Sequence, residues 1–276
     1  MTTAGFSEIA AGVHLLREPL LRVNVVLVVG DGAAVLVDTL STAGQARELA
    51  AAARAVTPHP WTVVNTHHHF DHCFGNATLA GPDTPVYAHA RAAAALRDRP
   101  DELRRAAYEE MHAEQPALAD ELARTELRAP THEVHSETVL DVGGRRVLLR
   151  HPGPGHTDAD LVVHVPDADV LVAGDLVEQS GPPAFEESYP LRWPDAVADL
   201  LRLTTPATVV VPGHGEPVDV AFVREQHDQL ARLAWLIRAG HTGSAPPERV
   251  AAESPFGARP GLIAARRGYA DLDGTA

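Results

Sequence analysis

"NTHHHFDHC", Asn65–Cys73, follows the apolar run "WTVV" and places four histidines and an aspartate between His67 and His72. Three chemistries compete for such a stretch: a metal cluster, an imidazole acting as general base to a nucleophile, and a polar loop that is merely rich in histidine. Side chains alternate faces along a strand, so a strand running through this stretch puts His67 and His69 on one side, about 6–7 Å apart at the backbone. His68 then points the other way, and Asp71 and His72 fall in the following turn. Imidazole and carboxylate donors at this spacing suit a borderline divalent ion such as zinc.

The rest of the chain raises the metal reading above the other two. "HPGPGHTDAD" carries His156 in a glycine-flanked loop, "VLVAGDL" ends a buried strand at Asp175, and "VVVPGHGEP" ends another at His214. Each is an ionisable residue that adjoins glycine, which lets backbone approach a ligand closely, and strand ends are where α/β proteins put functional groups.

"VNVVLVVG" and "AAVLVDT" read as two strands joined at "DG", and "STAGQARELAAAARAV" as a helix capped at Ser41. "WTVVNT" and "TPVYAHA" are further short strands. A proline-broken helical insertion covers about 91–128. "ETVLDVGGRRVLLRHPG" and "DLVVHVPDADVLVAGD" each give two strands around a turn. The helix "AVADLLRL", the strand "ATVVVPG" and the amphipathic helix "VAFVREQHDQLARLAWLIRAG" follow, with a glycine stop at Gly240. From His241 to Ala276 the sequence reads as a tail ordered by packing on the body. Two halves of strands followed by helix predict an α/β protein with two sheets packed face to face and helices outside, as a single domain over 1–276.

The 276 residues include 45% hydrophobic types, one cysteine, sixteen histidines and a formal charge of −14. One cysteine excludes an internal disulfide framework. The acidic balance argues against a nucleic-acid partner, and no apolar run is long enough to span a membrane. "MTTAGFSEIAAGVHLL" lacks the pattern of a secretory signal, so a cytoplasmic location is expected.

"THHHFDH", "GPGHTDAD", "VAGDL" and "VPGHG", in this order, resemble the metallo-β-lactamase superfamily, whose first motif is H-x-H-x-D-H. The resemblance runs from the first hairpin to about Gly240. It implies an αββα four-layer sandwich of two mixed sheets. It also implies a dinuclear zinc hydrolase that uses a hydroxide bridging two ions to cleave an ester, lactone, thioester or amide of a small-molecule substrate. His67, His69 and His156 would hold the first ion, Asp71, His72 and His214 the second, with Asp175 bridging and Asp71 also catalytic. A single iron in the first site, as in persulfide dioxygenases, is the alternative.

The glyoxalase II-like and lactamase-like group is the nearest match, through the form "NTHxHxDHxxGN". The basic residues with which glyoxalase II enzymes hold glutathione are not apparent. Tyr189, Phe185 and Tyr108 are expected to line the substrate pocket. Asp38 is expected to bond a ligand or a loop, Thr66 and Thr157 to fix neighbouring loops, Asp160 to bond a ligand, and Cys73 and His68 to be packed and non-ligating.

Overall fold

The computed structural model describes residues 5–275, so the first four residues of the expected cytoplasmic N-terminus, and Ala276, lie outside the described residues. In chain order the elements are β1 (Ser7–Ala10), β2 (Val13–Arg17), β3 (Asn24–Val29), β4 (Ala34–Val37), α1 (Ala43–Val56), β5 (Trp61–Val64), α2 (Phe70–Cys73), α3 (Asn76–Leu79) and β6 (Val86–His89). Then come α4 (Ala90–Asp98), α5 (Pro100–Met111), α6 (Pro116–Leu122), β7 (His132–Val134), β8 (Glu137–Val142), β9 (Arg145–Arg150), β10 (Val162–Val165) and β11 (Val170–Glu178). The chain continues with α7 (Trp193–Leu201), β12 (Val209–His214), α8 (Val220–Thr242), α9 (Pro247–Ala252) and α10 (Ala258–Leu272).

Strands β1 to β7 form one seven-stranded sheet in sequence order, and β8 to β12 make up a second of five. The first sheet is mixed: β1 to β4 pair antiparallel, and β4 to β7 parallel. The α/β class with two sheets expected from the sequence is the one the chain adopts. No helix among the described residues is long and apolar enough to cross a membrane.

The chain divides into two compact units. The first takes the described residues through His151 together with Val163–Val170; the second takes Pro152–Val162 and the described residues from Leu171 onward. In the first unit α1 buries Ala46, Leu49 and Ala53, spaced three and four apart, in a core with Leu16, Val25, Leu27 and Leu36. Its cap is Thr42, one residue beyond the expected Ser41: Thr42 Oγ1 accepts from Gln45 N, and Gln45 Oε1 accepts from Thr42 N.

The insertion forms α4, α5 and α6, the last two opening on Pro100 and Pro116, where a missing N–H costs nothing. Leu96, Leu118 and Leu122 pack against Phe70 and Phe74, which belong to or adjoin α2. Each such burial contributes about 1.5–3 kcal/mol, so the insertion is a buttress for the short helix that carries Asp71 and His72.

The second unit is built around Trp193, Phe185, Leu230, Leu233 and Ile237, all nearly inaccessible to solvent. The expected glycine stop at Gly240 is overrun: α8 continues to Thr242 and ends on Gly243. The expected tail is two helices, with Val250, Ala264 and Ala265 in the same core. From α10 the Arg267 guanidinium donates to the carbonyls of Ser188, Glu186 and Glu187 at 2.6, 2.8 and 3.1 Å.

Candidate metal centre

In the first unit, β5 stops at Val64 and residues Asn65 to His69 are irregular, so strand alternation does not orient His67 and His69. His69 instead occupies the N-cap position of α2 without a side-chain capping bond, and Asp71 and His72 lie in that helix rather than a turn. The imidazoles still converge: ring centroids are 4.7 Å apart for His67 and His69, and 4.3 Å for His67 and His72. His72 Nε2 lies 3.7 Å from Asp71 Oδ2.

Asp38 arranges this cluster. It follows β4 with a left-handed backbone, φ 68°, an uncommon conformation for a non-glycine residue that only a well-determined surrounding maintains. Its Oδ1 accepts from Thr66 N, and its Oδ2 accepts from Thr66 Oγ1 and meets His72 Nδ1, all at 2.8 Å. Burial pushes the Asp38 pKa up, opposed by the charge and hydrogen bond of His72 and by the bonds from Thr66.

The contact assigns the His72 proton to Nδ1 and turns its lone pair out at Nε2. Thr66 spends its proton on Asp38, so its oxygen, 3.1 Å from His67 Nδ1, accepts there and leaves His67 Nε2 as the second lone pair. One buried carboxylate therefore sets the tautomers of two imidazoles, directly and through a hydroxyl.

A second layer was not assigned from the sequence. His72 O accepts from Thr39 N (2.9 Å), Thr39 Oγ1 (3.2 Å) and Asn65 Nδ2 (3.2 Å). Asn65 and Asn76 exchange amide bonds at 3.0 and 2.8 Å. The signal was present as the two asparagines bracketing the histidine run. Cys73 is fully buried, with Sγ 3.2 Å from the carbonyls of His68 and His69. Burial, reinforced by the charges of Asp38 and Asp71, drives its pKa well above the usual thiol value, so it is a packed thiol, as expected. His68 is buried beside His69, with ring centroids 5.2 Å apart.

In the second unit Asp175 lies inside β11, three residues before its end, rather than at a strand terminus. His214 is the last residue of β12, and His156 sits in the loop before β10. Asp175 Oδ2 is 3.7 Å from His156 Nε2 and 3.6 Å from His214 Nε2. Asp160 Oδ1 is 3.7 Å from His156 Nδ1, longer than a hydrogen bond, while Thr157 N and Oγ1 donate to its carboxylate at 2.8 and 2.7 Å. It fixes the loop after His156 instead. Asp175, Glu178 and His214 each offer a ligand atom, all within 4.8 Å of one another.

The aromatic residues divide. Phe185 is 1% exposed and packs on Trp193 and Phe256, a core position that takes its ring out of the expected pocket wall. Tyr108 is 37% exposed on α5 and stacks on His112. Tyr189 is half-buried, and its N–H donates to Gly155 O at 2.8 Å, beside His156.

Donors at this spacing fit a cation. Two ligands each about 2.0–2.1 Å from a tetrahedral ion lie about 3.4 Å apart. Three carboxylate–imidazole pairs that meet through Nε2, one in the first unit and two in the second, stand at 3.6–3.7 Å, beyond a hydrogen bond and close to that edge.

The family model described as the metallo-β-lactamase superfamily matches residues 19–214, and the chain belongs to that superfamily. It is 30% identical over 118 residues to a metallo-β-lactamase type 2 of Bacillus cereus, covering 41% of this chain and 46% of that protein. It is 29% identical over 170 residues to the acyl-coenzyme A thioesterase MBLAC2 of Bos taurus, covering 56% and 58%. The chain thus spans about half the length of the curated relatives it matches. Among solved structures, the DIM-1 metallo-β-lactamase superimposes with a TM-score of 0.66 at 20% identity, over 83% of this chain and 97% of that one, a likeness of fold.

Proposed function

We propose that the chain is a metal-dependent hydrolase that cleaves an ester, lactone, thioester or amide of a small molecule with two zinc ions bound. His67, His69 and His156 would hold one ion and Asp71, His72 and His214 the other, with Asp175 available to both. The observation that carries the reading is the set of three carboxylate–imidazole pairs that meet through Nε2 at 3.6–3.7 Å. Family membership supports it, and the thioesterase name of the Bos taurus relative brings thioesters into the substrate range.

Zinc held there would supply Lewis acidity, lowering the pKa of water toward neutral and polarising a carbonyl. The chain's own groups do the rest. Asp38 keeps the His72 proton on Nδ1 and, through Thr66, the His67 proton on Nδ1, so each ring is left with its lone pair on Nε2 for an ion. Asp71 orients the attacking water and carries its proton to the leaving group. The packed thiol of Cys73 takes no part.

The test is metal analysis of gently purified protein beside a panel of chromogenic esters, lactones and β-lactams and an acyl-coenzyme A thioester. Two zinc per chain and chelator-sensitive turnover of at least one class are expected, with Asp71→Asn lowering kcat about 10²–10⁴-fold while the fold persists. A zinc-replete protein inert to the whole panel, or one iron per chain with oxygen consumption, overturns the reading.

A further inference from the structure

β11 and β12 are neighbours in the second sheet, and Gln179, the residue after β11, grips the turn that follows β12. Its backbone N–H donates to His214 O at 3.3 Å, and its side-chain Oε1 accepts from Glu216 N at 2.8 Å. One residue therefore holds the chain on both sides of Gly215. The approach requires glycine: Gly215 has φ 97°, and a Cβ there would lie 2.2 Å from Gln179 Oε1. On the other flank a Cβ at Gly213 would lie 1.7 Å from Asp175 Oδ1. His214 is framed by two glycines, each closed upon by a side chain from the β11 end, Asp175 and Gln179.

The platform beneath Gln179 is itself fixed. Gln226, buried on α8, accepts from Glu178 N and donates to Leu176 O, both at 3.1 Å. Trp193 Nε1 donates to the same Leu176 carbonyl at 3.1 Å. Side chains from α7 and α8 thus hold the strand segment that joins Asp175 to Gln179, and the position of Gln179 is tied to that of Asp175.

We propose that Gln179 is a positioning residue for His214, setting the backbone from which that imidazole meets Asp175 and so the affinity for the ion they share. The inference rests on the reading of His214 and Asp175 as metal ligands. Changes in groups that orient ligands cost about 10–100-fold in metal affinity.

The experiment uses metal-free full-length protein titrated with zinc against a chromogenic chelator, giving two stepwise constants, with the absorption of the cobalt-loaded form as a second signal. Gln179→Met removes the acceptor, and Gln179→Glu keeps an oxygen for Glu216 N. The methionine variant is expected to hold one equivalent as the unaltered protein does, to bind the other about 10–100-fold more weakly with a changed cobalt spectrum, and to unfold at a similar temperature. The glutamate variant is expected to restore most of the affinity.

Unchanged constants in the methionine variant overturn the proposal. So does equal weakening of both equivalents with a lowered unfolding temperature, which marks a general structural role. If the unaltered protein fails to take up two equivalents, the dinuclear reading itself falls and takes this inference with it.

Discussion

The two units supply their candidate metal-ligating side chains in different ways. In the first, His67, His69, Asp71 and His72 come from one short stretch, and a buried charge orients them: Asp38 reaches His72 directly and His67 through Thr66. In the second, His156, Asp175 and His214 come from a loop and two strands, and close backbone approach orients them, with glycine at 213 and 215 against Asp175 and Gln179. A local cluster needs an electrostatic anchor to set tautomers and rotamers. A dispersed one needs its strands held at the right separation.

The comparison predicts that the first arrangement breaks on loss of a charge and the second on gain of a methyl group. Asp38→Ala leaves Thr66 N and His72 Nδ1 without their buried acceptor. It is expected to destabilise the metal-free protein by about 3–5 kcal/mol in denaturant titration. Faster amide exchange should concentrate around Thr66 and α2; a loss under 1 kcal/mol would remove Asp38 as anchor. Gly213→Ala forces a Cβ into the Asp175 carboxylate and is expected to cost about 1–3 kcal/mol, with exchange rising along β11 and β12. Unchanged zinc affinity in that variant would show that the strand separation is not critical.

The smallest effect serves as a control away from both clusters. Burial lowers the His164 pKa below its ordinary 6.5, with Asp169 opposing. The folded chain therefore binds that proton less readily than the unfolded one. The stability His164 contributes is present above pH 6.5 and is lost as pH falls through the depressed folded value. His164→Gln should flatten this part of the decline in unfolding temperature between pH 7 and pH 5 in metal-free protein. A variant with the same decline as the unaltered protein would assign the acid sensitivity to other groups.

Strands β3, β4 and β8 to β11 were legible because apolar runs and turn residues mark them. The candidate ligands His156, Asp175 and His214 stand out in the sequence because ionisable groups beside glycine are conspicuous near apolar runs. Other elements carry no such signal. β1 is a polar edge strand, and β7 has only three residues and is placed by its parallel partner β6. The end of β5 at Val64 was hidden because Asn65 and Thr66 extend the strand pattern, although their side chains serve the Asp38 and Asn76 networks.

The last two helices were hidden by their own packing. Gly268 reads as a break, but it lies on α10 where a Cβ would come within 2.5 Å of Ile237. The residue that lowers helix propensity is the one that lets α10 approach α8. Asp38 was read as a supporting residue, but its left-handed backbone and its link to His67 through Thr66 depend on tertiary contacts that no local pattern encodes.

Arg267 carries a consequence for how the chain is made. Its guanidinium holds the carbonyls of Glu186, Glu187 and Ser188, on the segment that leads to Tyr189 and Trp193. A ribosome adding about 5–20 residues per second makes that segment seconds before it makes Arg267. These three carbonyls wait for a partner that lies 79 to 81 residues further along the chain, so this part of the second unit reaches its final form only after α10 has been made.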